Sequence, residues 1–212
     1  MFGAHITSEV SMTKTTSGRI GRQALAAVAI LLSASGPSWA QSTSPAGPPG
    51  ASRRDGSRDF DFLIGDWKAH LKRLPERLVG STAWVEYDGT SSTHKILGSN
   101  ANMEDFKVDD TKDNLHIRAQ TLRLYNPASH QWSVYGLDLD AGVLGLPATV
   151  GEFTNGRVEL FDYEDWKGRW ILVRFVWSHS GATAAHFEQS FSADGGKTWE
   201  VNWICDLSRE TP

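Results

Sequence analysis

Arg169-Trp170-Ile171-Leu172-Val173-Arg174-Phe175-Val176-Trp177-Ser178 decides the fold class of this chain. Ile171, Val173, Phe175 and Trp177 recur at every second residue, so an extended backbone places them on one face and Arg174 on the other. A helix would scatter the same four side chains around its axis. β-branched and aromatic types also suit a pleated, half-buried surface.

Working outward, the same alternation returns between turn residues. Strands are expected near 66–73, 81–89, 92–98, 114–125, 131–138, 148–154, 156–163, 168–179, 183–192 and 198–207. Asn126-Pro127, Asn155-Gly156, Lys167-Gly168 and Asp194-Gly195-Gly196 each separate two apolar alternations. Connections this short force antiparallel neighbours. No helical stretch of ten or more residues recurs between strands, which excludes a parallel α/β sheet. One short helical turn is expected at Asp59–Ile64, before Gly65. About ten sequential strands joined by tight turns predict an all-β fold, a single antiparallel up-and-down barrel of about 8–10 strands. Closure removes both sheet edges, an advantage over a sandwich.

The first quarter of the chain has a different character. Lys14, Arg19 and Arg22 precede the apolar run Ala24–Leu32 and the small-residue end Ser38-Trp39-Ala40, the three parts of a secretory signal over residues 1–40. Met12 is an alternative start, because the region before it lengthens the basic part and adds Glu9. The apolar run is short of the ~20 residues that span a bilayer, and no cysteine follows Ala40 to carry a lipid. Cleavage near Ala40 then sends the product to the periplasm or the medium, without a stable membrane anchor. Residues 41–58 are rich in Ser, Pro and Gly and read as a disordered linker. Residues 59–209 form the barrel domain.

The chain carries a net charge of −4, and removing the leader's Lys14, Arg19, Arg22 and Glu9 makes it −6. An acidic domain without a basic stripe argues against nucleic acid as a partner. Cys205 is the one cysteine, so packing alone holds the fold together. It lies in an apolar alternation and reads as a small buried hydrophobe.

Phe60-Asp61-Phe62-Leu63-Ile64-Gly65-Asp66-Trp67 resembles the Gly-x-Trp entrance of lipocalin-type and related calycin barrels, where a helical turn leads into the first strand and the Trp plugs the barrel floor. The span from Phe60 to Arg209, with Gly80–Trp84, Tyr125–Ser133 and Asp194–Trp203, is similar to a bacterial calycin-like domain family of unknown function. The resemblance implies a barrel and small-molecule handling. True lipocalins have a Thr-Asp-Tyr segment and a disulfide that this chain lacks, so their ligand classes are not carried over. Ser192-Ala193-Asp194-Gly195-Gly196-Lys197-Thr198-Trp199 also resembles the Asp-box of sialidase-type propellers. With one copy and no blade repeat it reads as a hairpin turn.

Eight tryptophans fall in the domain, more than a core of this size needs. Trp67, Trp199 and Trp203 are expected to fill barrel ends, and Trp84, Trp132 and Trp177 to line a cavity. Glu86, Arg123, Arg174 and Glu188 are the candidate polar groups that orient a ligand, since each is a charge inside an apolar alternation. Arg123 shares the face of Leu115, Ile117 and Ala119, company that favours burial beside a charged partner. Alternation does not say which face is interior. If the faces bearing Trp84, Arg174 and Glu188 point outward, those residues are solvated surface.

Three functions are therefore carried forward. The first is an exported barrel that binds a small apolar or carboxylate-bearing molecule. The second is a barrel enzyme using Glu86 or Glu188 for isomerase- or lyase-type acid–base chemistry. The third is an interaction module, which needs an exposed apolar patch. No Gly-x-Ser-x-Gly elbow or phosphate loop is present, which favours binding over hydrolysis. His70, His94, His116, His130, His179 and His186 show no metal-ligand spacing. Some calycin relatives hold haem through one barrel histidine, but spacing gives that no support here, and neither metal nor cofactor is expected.

Overall fold

The computed structural model describes residues 54–96, 100–139 and 141–209; the leader and most of the linker read from the sequence lie outside them. A 3₁₀ turn, Asp61–Leu63, is followed by β1 (Gly65–Arg73), β2 (Val85–Lys95), β3 (Ala101–Asp110), β4 (Leu115–Asn126) and β5 (Gln131–Asp138). Then come β6 (Val143–Leu144), β7 (Thr149–Thr154), β8 (Arg157–Trp166), β9 (Arg169–Ser180), β10 (Ala184–Ser192) and β11 (Glu200–Ser208). Each long strand pairs antiparallel with its chain neighbour; β5 passes over the two-residue β6 to meet β7. β1 pairs with β11, so the ring closes into a ten-stranded antiparallel barrel of calycin-like type. β6 only extends the end of β5, through Leu137 and Asp138.

On β9, Ile171, Val173, Phe175 and Trp177 are buried inside, whereas Leu172 and Arg174 are half-buried on the outer face. The same parity holds round the ring and fills the interior with Leu71, Val108, Ile117, Leu160 and Phe187 among others. One end is plugged by the 3₁₀ turn. Phe60 meets Trp132 and Phe153 edge-on at centroid distances of 5.0 and 4.9 Å. Trp67 Nε1 donates to the Leu63 carbonyl (2.8 Å), and the Arg209 guanidinium covers the Trp67 ring at 4.1 Å while Nη1 donates to the Ile64 carbonyl. The last described residue is thereby tied to the entrance of the first strand.

Three expectations need correction. Within the stretch read as strands 81–89 and 92–98, residues 85–95 form the single strand β2, residues 97 and 98 lie outside the described residues, and a further strand, β3, follows. Gly89 lies in mid-strand, so close to β3 that a Cβ there would sit 2.3 Å from the Lys107 carbonyl oxygen. β3 escapes pattern reading because its inward set is Asn102, Glu104, Phe106 and Val108, half of it polar. Finally, residues 54–58 of the supposed tether pack on the barrel: the Gly56 N–H donates to Tyr125 Oη (2.9 Å) and its carbonyl accepts from Trp132 Nε1 (3.0 Å).

The Asp194 turn is structural. Its carboxylate accepts from Ser192 Oγ, Thr198 Oγ1 and the Lys197 and Thr198 N–H groups at 2.6–3.0 Å, and Gly195 and Gly196 take φ of 74° and 89°. These bonds, Thr198 first, hold the Asp194 carboxyl well below the usual carboxylate range.

Candidate functional site

Register brings the interior polar groups together. β3 and β4 pair Asn102 with Arg123 and Glu104 with Thr121, all four inward and buried. Arg123 Nη2 donates to Glu104 Oε2, and Nη1 to Asn102 Oδ1 at 3.2 Å. Glu104 Oε1 accepts from Ser91 Oγ on β2 (2.6 Å). The Arg123 and Glu104 side chains are 1% and 7% exposed, so this ion pair is inside the barrel and not on its rim. The Arg123 guanidinium lies 5.4 Å from the Phe60 ring centroid and 5.3 Å from that of Trp177. Cation–π contact of this kind helps offset desolvation.

Beside the pair is a cavity of ≈ 50 Å³. Phe106, Val134, Phe175, Trp177, Phe187 and Trp203 supply most of its wall, and Glu104, Thr121 and Arg123 its polar groups. Arg123 Nε is buried and has no hydrogen-bond partner among the described residues. Cys205 also lines the cavity, and burial pushes its thiol well up, so it contributes an inert surface and no nucleophile.

A second buried carboxyl lies toward the opposite end, on β8. Asp162 is 7% exposed, its Oδ1 has no hydrogen-bond partner among the described residues, and burial together with the charge of Glu164 pushes its pKa up to about 7. Arg77 bends back over this end, its guanidinium 5.5 Å from the Trp166 and Phe191 ring centroids. Burial, with Arg73 nearby, lowers the Arg77 pKa to about 10.

Of the residues singled out from the sequence, Arg123, Trp132 and Trp177 are interior. Arg123 and Trp177 share the cavity wall, whereas Trp132 serves the plug through its bond to Gly56. Trp84, Glu86, Arg174 and Glu188 are not in the cavity, a correction to their reading as interior groups. Trp84 precedes β2 and is 37% exposed. Glu86 pairs outside with Lys72 Nζ (3.0 Å) and His70 Nε2 (3.3 Å). Glu188 lies 3.1 Å from His186 Nε2, and Arg174 stacks 4.5 Å over Trp199. The reason is parity: once Trp177 points inward, Arg174 three residues earlier on the same strand must point outward. Glu86 and Glu188, proposed together for acid–base work, are both outward on β2 and β10, Glu86 paired with Lys72 and Glu188 beside His186. Trp199 packs outside against Arg174, and Trp203 lines the cavity and does not fill an end.

Histidines among the described residues stay out of the interior. His70 and His186 are on the outer face beside Asp88 and Asp206, and His179 stacks on Phe62 at 4.5 Å. The cavity wall contains no imidazole. Residues and volume alike do not fit a haem held by an interior histidine. Glu104, Asn102 and Phe106 were not legible as site residues, because the strand that carries them was not; only the N-x-E-x-F-x-V spacing could have hinted at it.

No protein-family model matches the chain, and no curated protein sequence does. Solved structures do match in shape. The S-type phycobiliprotein lyase CPES from Guillardia theta aligns with a TM-score of 0.50 at 9% identity, covering 76% of this chain and 95% of that one. Rv2717c from M. tuberculosis aligns with a TM-score of 0.48 at 10% identity, covering 74% of this chain and 99% of that one. At such identities the likeness is one of fold: the chain is a calycin-like barrel.

Proposed function

We propose that the chain is exported and that its barrel, in a mature form beginning at Gln41, binds a compact, largely apolar small molecule in the interior cavity. One observation carries the binding reading: a mostly aromatic and aliphatic wall lines a space shared by Arg123, a fully buried cation whose Nε has no hydrogen-bond partner among the described residues. Apolar walls with few convergent polar groups are the pattern of small-molecule sites. The cavity is roughly a third of the ~150 Å³ that accepts a benzene ring, so the ligand that fits this shape has about two to four heavy atoms. Export rests on the leader Lys14–Ala40.

Trp177 and Trp203 are in the wall, so their indole resonances and fluorescence report occupancy. Titration with short aldehydes, ketones, amides and acids should give a saturable response from at least one of them. Arg174→Ala, outside the barrel, should leave that response unchanged. Silence from Trp177 and Trp203 across the panel would sink the binding reading. Mass measurement of the periplasmic product should find Gln41 at its start; an uncleaved cytoplasmic chain contradicts export.

A further inference from the structure

We propose, on top of the cavity-binding reading, that the cavity selects a neutral carbonyl-type acceptor and rejects carboxylates. A lone interior arginine suggests an anion site. The partners of Arg123 argue otherwise.

Glu104 already occupies Nη2, Asn102 occupies Nη1, and Ser91 fixes the other Glu104 oxygen. The guanidinium charge is matched by one carboxylate before any ligand arrives. An incoming carboxylate would place a second negative charge beside Glu104 in a wall otherwise built of Phe106, Val134, Phe175 and Trp177. Two anions on one buried cation leave one charge uncompensated against a mostly apolar wall, where it is poorly solvated. Of the three guanidinium nitrogens, Nε is the one with no hydrogen-bond partner among the described residues, so the pair still offers donor capacity there. A ligand with one uncharged acceptor satisfies it and keeps the interior neutral. Aldehydes, ketones and primary amides meet that requirement; the rings of Trp177 and Phe187 take the apolar remainder.

Formamide and formate test the inference, because they have the same number of heavy atoms and nearly the same shape but differ in charge. Each is titrated at pH 7 into the protein while the Trp177 and Trp203 indole signals are followed by NMR. Formamide is expected to shift them saturably, at an affinity at least tenfold above that of formate. In Glu104→Gln the guanidinium loses its countercharge and the preference should invert toward formate. Wild-type protein that binds formate as well as or better than formamide overturns the charge argument and leaves the cavity reading standing. Failure of both to act on Trp177 and Trp203 overturns the two together. The wild-type comparison needs no variant, so a Glu104→Gln protein that does not fold leaves the test intact.

Discussion

Arg123 and Glu104 show how much one buried pair asks of its surroundings. The charges are compensated by each other, by Ser91 and Asn102, and by the rings of Phe60 and Trp177. Glu104→Ala leaves Arg123 bare and should cost about 3–5 kcal/mol in chemical denaturation. Arg123→Met combined with Glu104→Leu removes both charges and should come within about 1 kcal/mol of wild type or exceed it. The double variant should also lose the ligand response of Trp177, which separates the pair's part in binding from its part in folding. Asp162 is the opposite case, a buried carboxyl with no ion pair to it among the described residues. Its folded pKa, about 7, lies above the ordinary 3.8, so the native state holds the proton more tightly than the unfolded chain does. Ionisation therefore costs nothing below pH 3.8, a growing amount between 3.8 and 7, and its full value above 7. Asp162→Asn should raise stability by at most about 4 kcal/mol at pH 8.5 and change little at pH 4. Equal effects at both pH values would refute the assignment.

At the scale of the element, strand parity and close backbone approach decide what each strand can do. β7 runs so close to β8 that a Cβ at Gly151 would lie 1.9 Å from the Glu159 carbonyl oxygen. Backbone has little room to give there, and Gly151→Ala should destabilise the protein by about 1–3 kcal/mol, with fastened amide exchange in β7 and β8 becoming fast. Unchanged exchange would mean the two strands separate at little cost. The outer faces of β1, β10 and β11 follow a different logic. His70 is paired in register with Asp88 and Asp206, and Asp206 in turn with His186. The Asp88 bond raises the His70 pKa; burial lowers that of His186, but Asp206 and Glu188 outweigh it and the net shift is upward. Groups shifted this way stabilise the fold below the ordinary value of 6.5, and the stabilisation fades as pH rises through the folded value.

Across the whole molecule, stability is a property of the closed ring. β11 bridges β1 and β10, so a chain ending at Trp199 leaves both as open edges and removes Trp203, Cys205 and Leu207 from the cavity wall. Such a truncation should lose the cooperative unfolding transition and aggregate through the exposed edges, as monitored by circular dichroism and light scattering. A soluble, cooperatively folding truncation would show that closure is dispensable. Sequence by itself determined the all-β class and the antiparallel order, because two-residue alternation and turn chemistry are local properties, whereas the plug at Phe60–Trp67 was implied by its resemblance to the Gly-x-Trp entrance of calycin barrels. It also marked Arg123 and Trp177 as unusual. Tertiary structure alone decided which face is inside. Reversing every strand preserves its alternation, so nothing local distinguishes Arg174 from Trp177 as the residue facing the cavity. The same holds for Glu104, whose inward direction is set by the register of β3 on β4 and whose polarity hid the strand that carries it. A buried charge is affordable only where its partner arrives from a neighbouring strand, and which strand that is depends on the closed barrel and not on the order of residues along the chain.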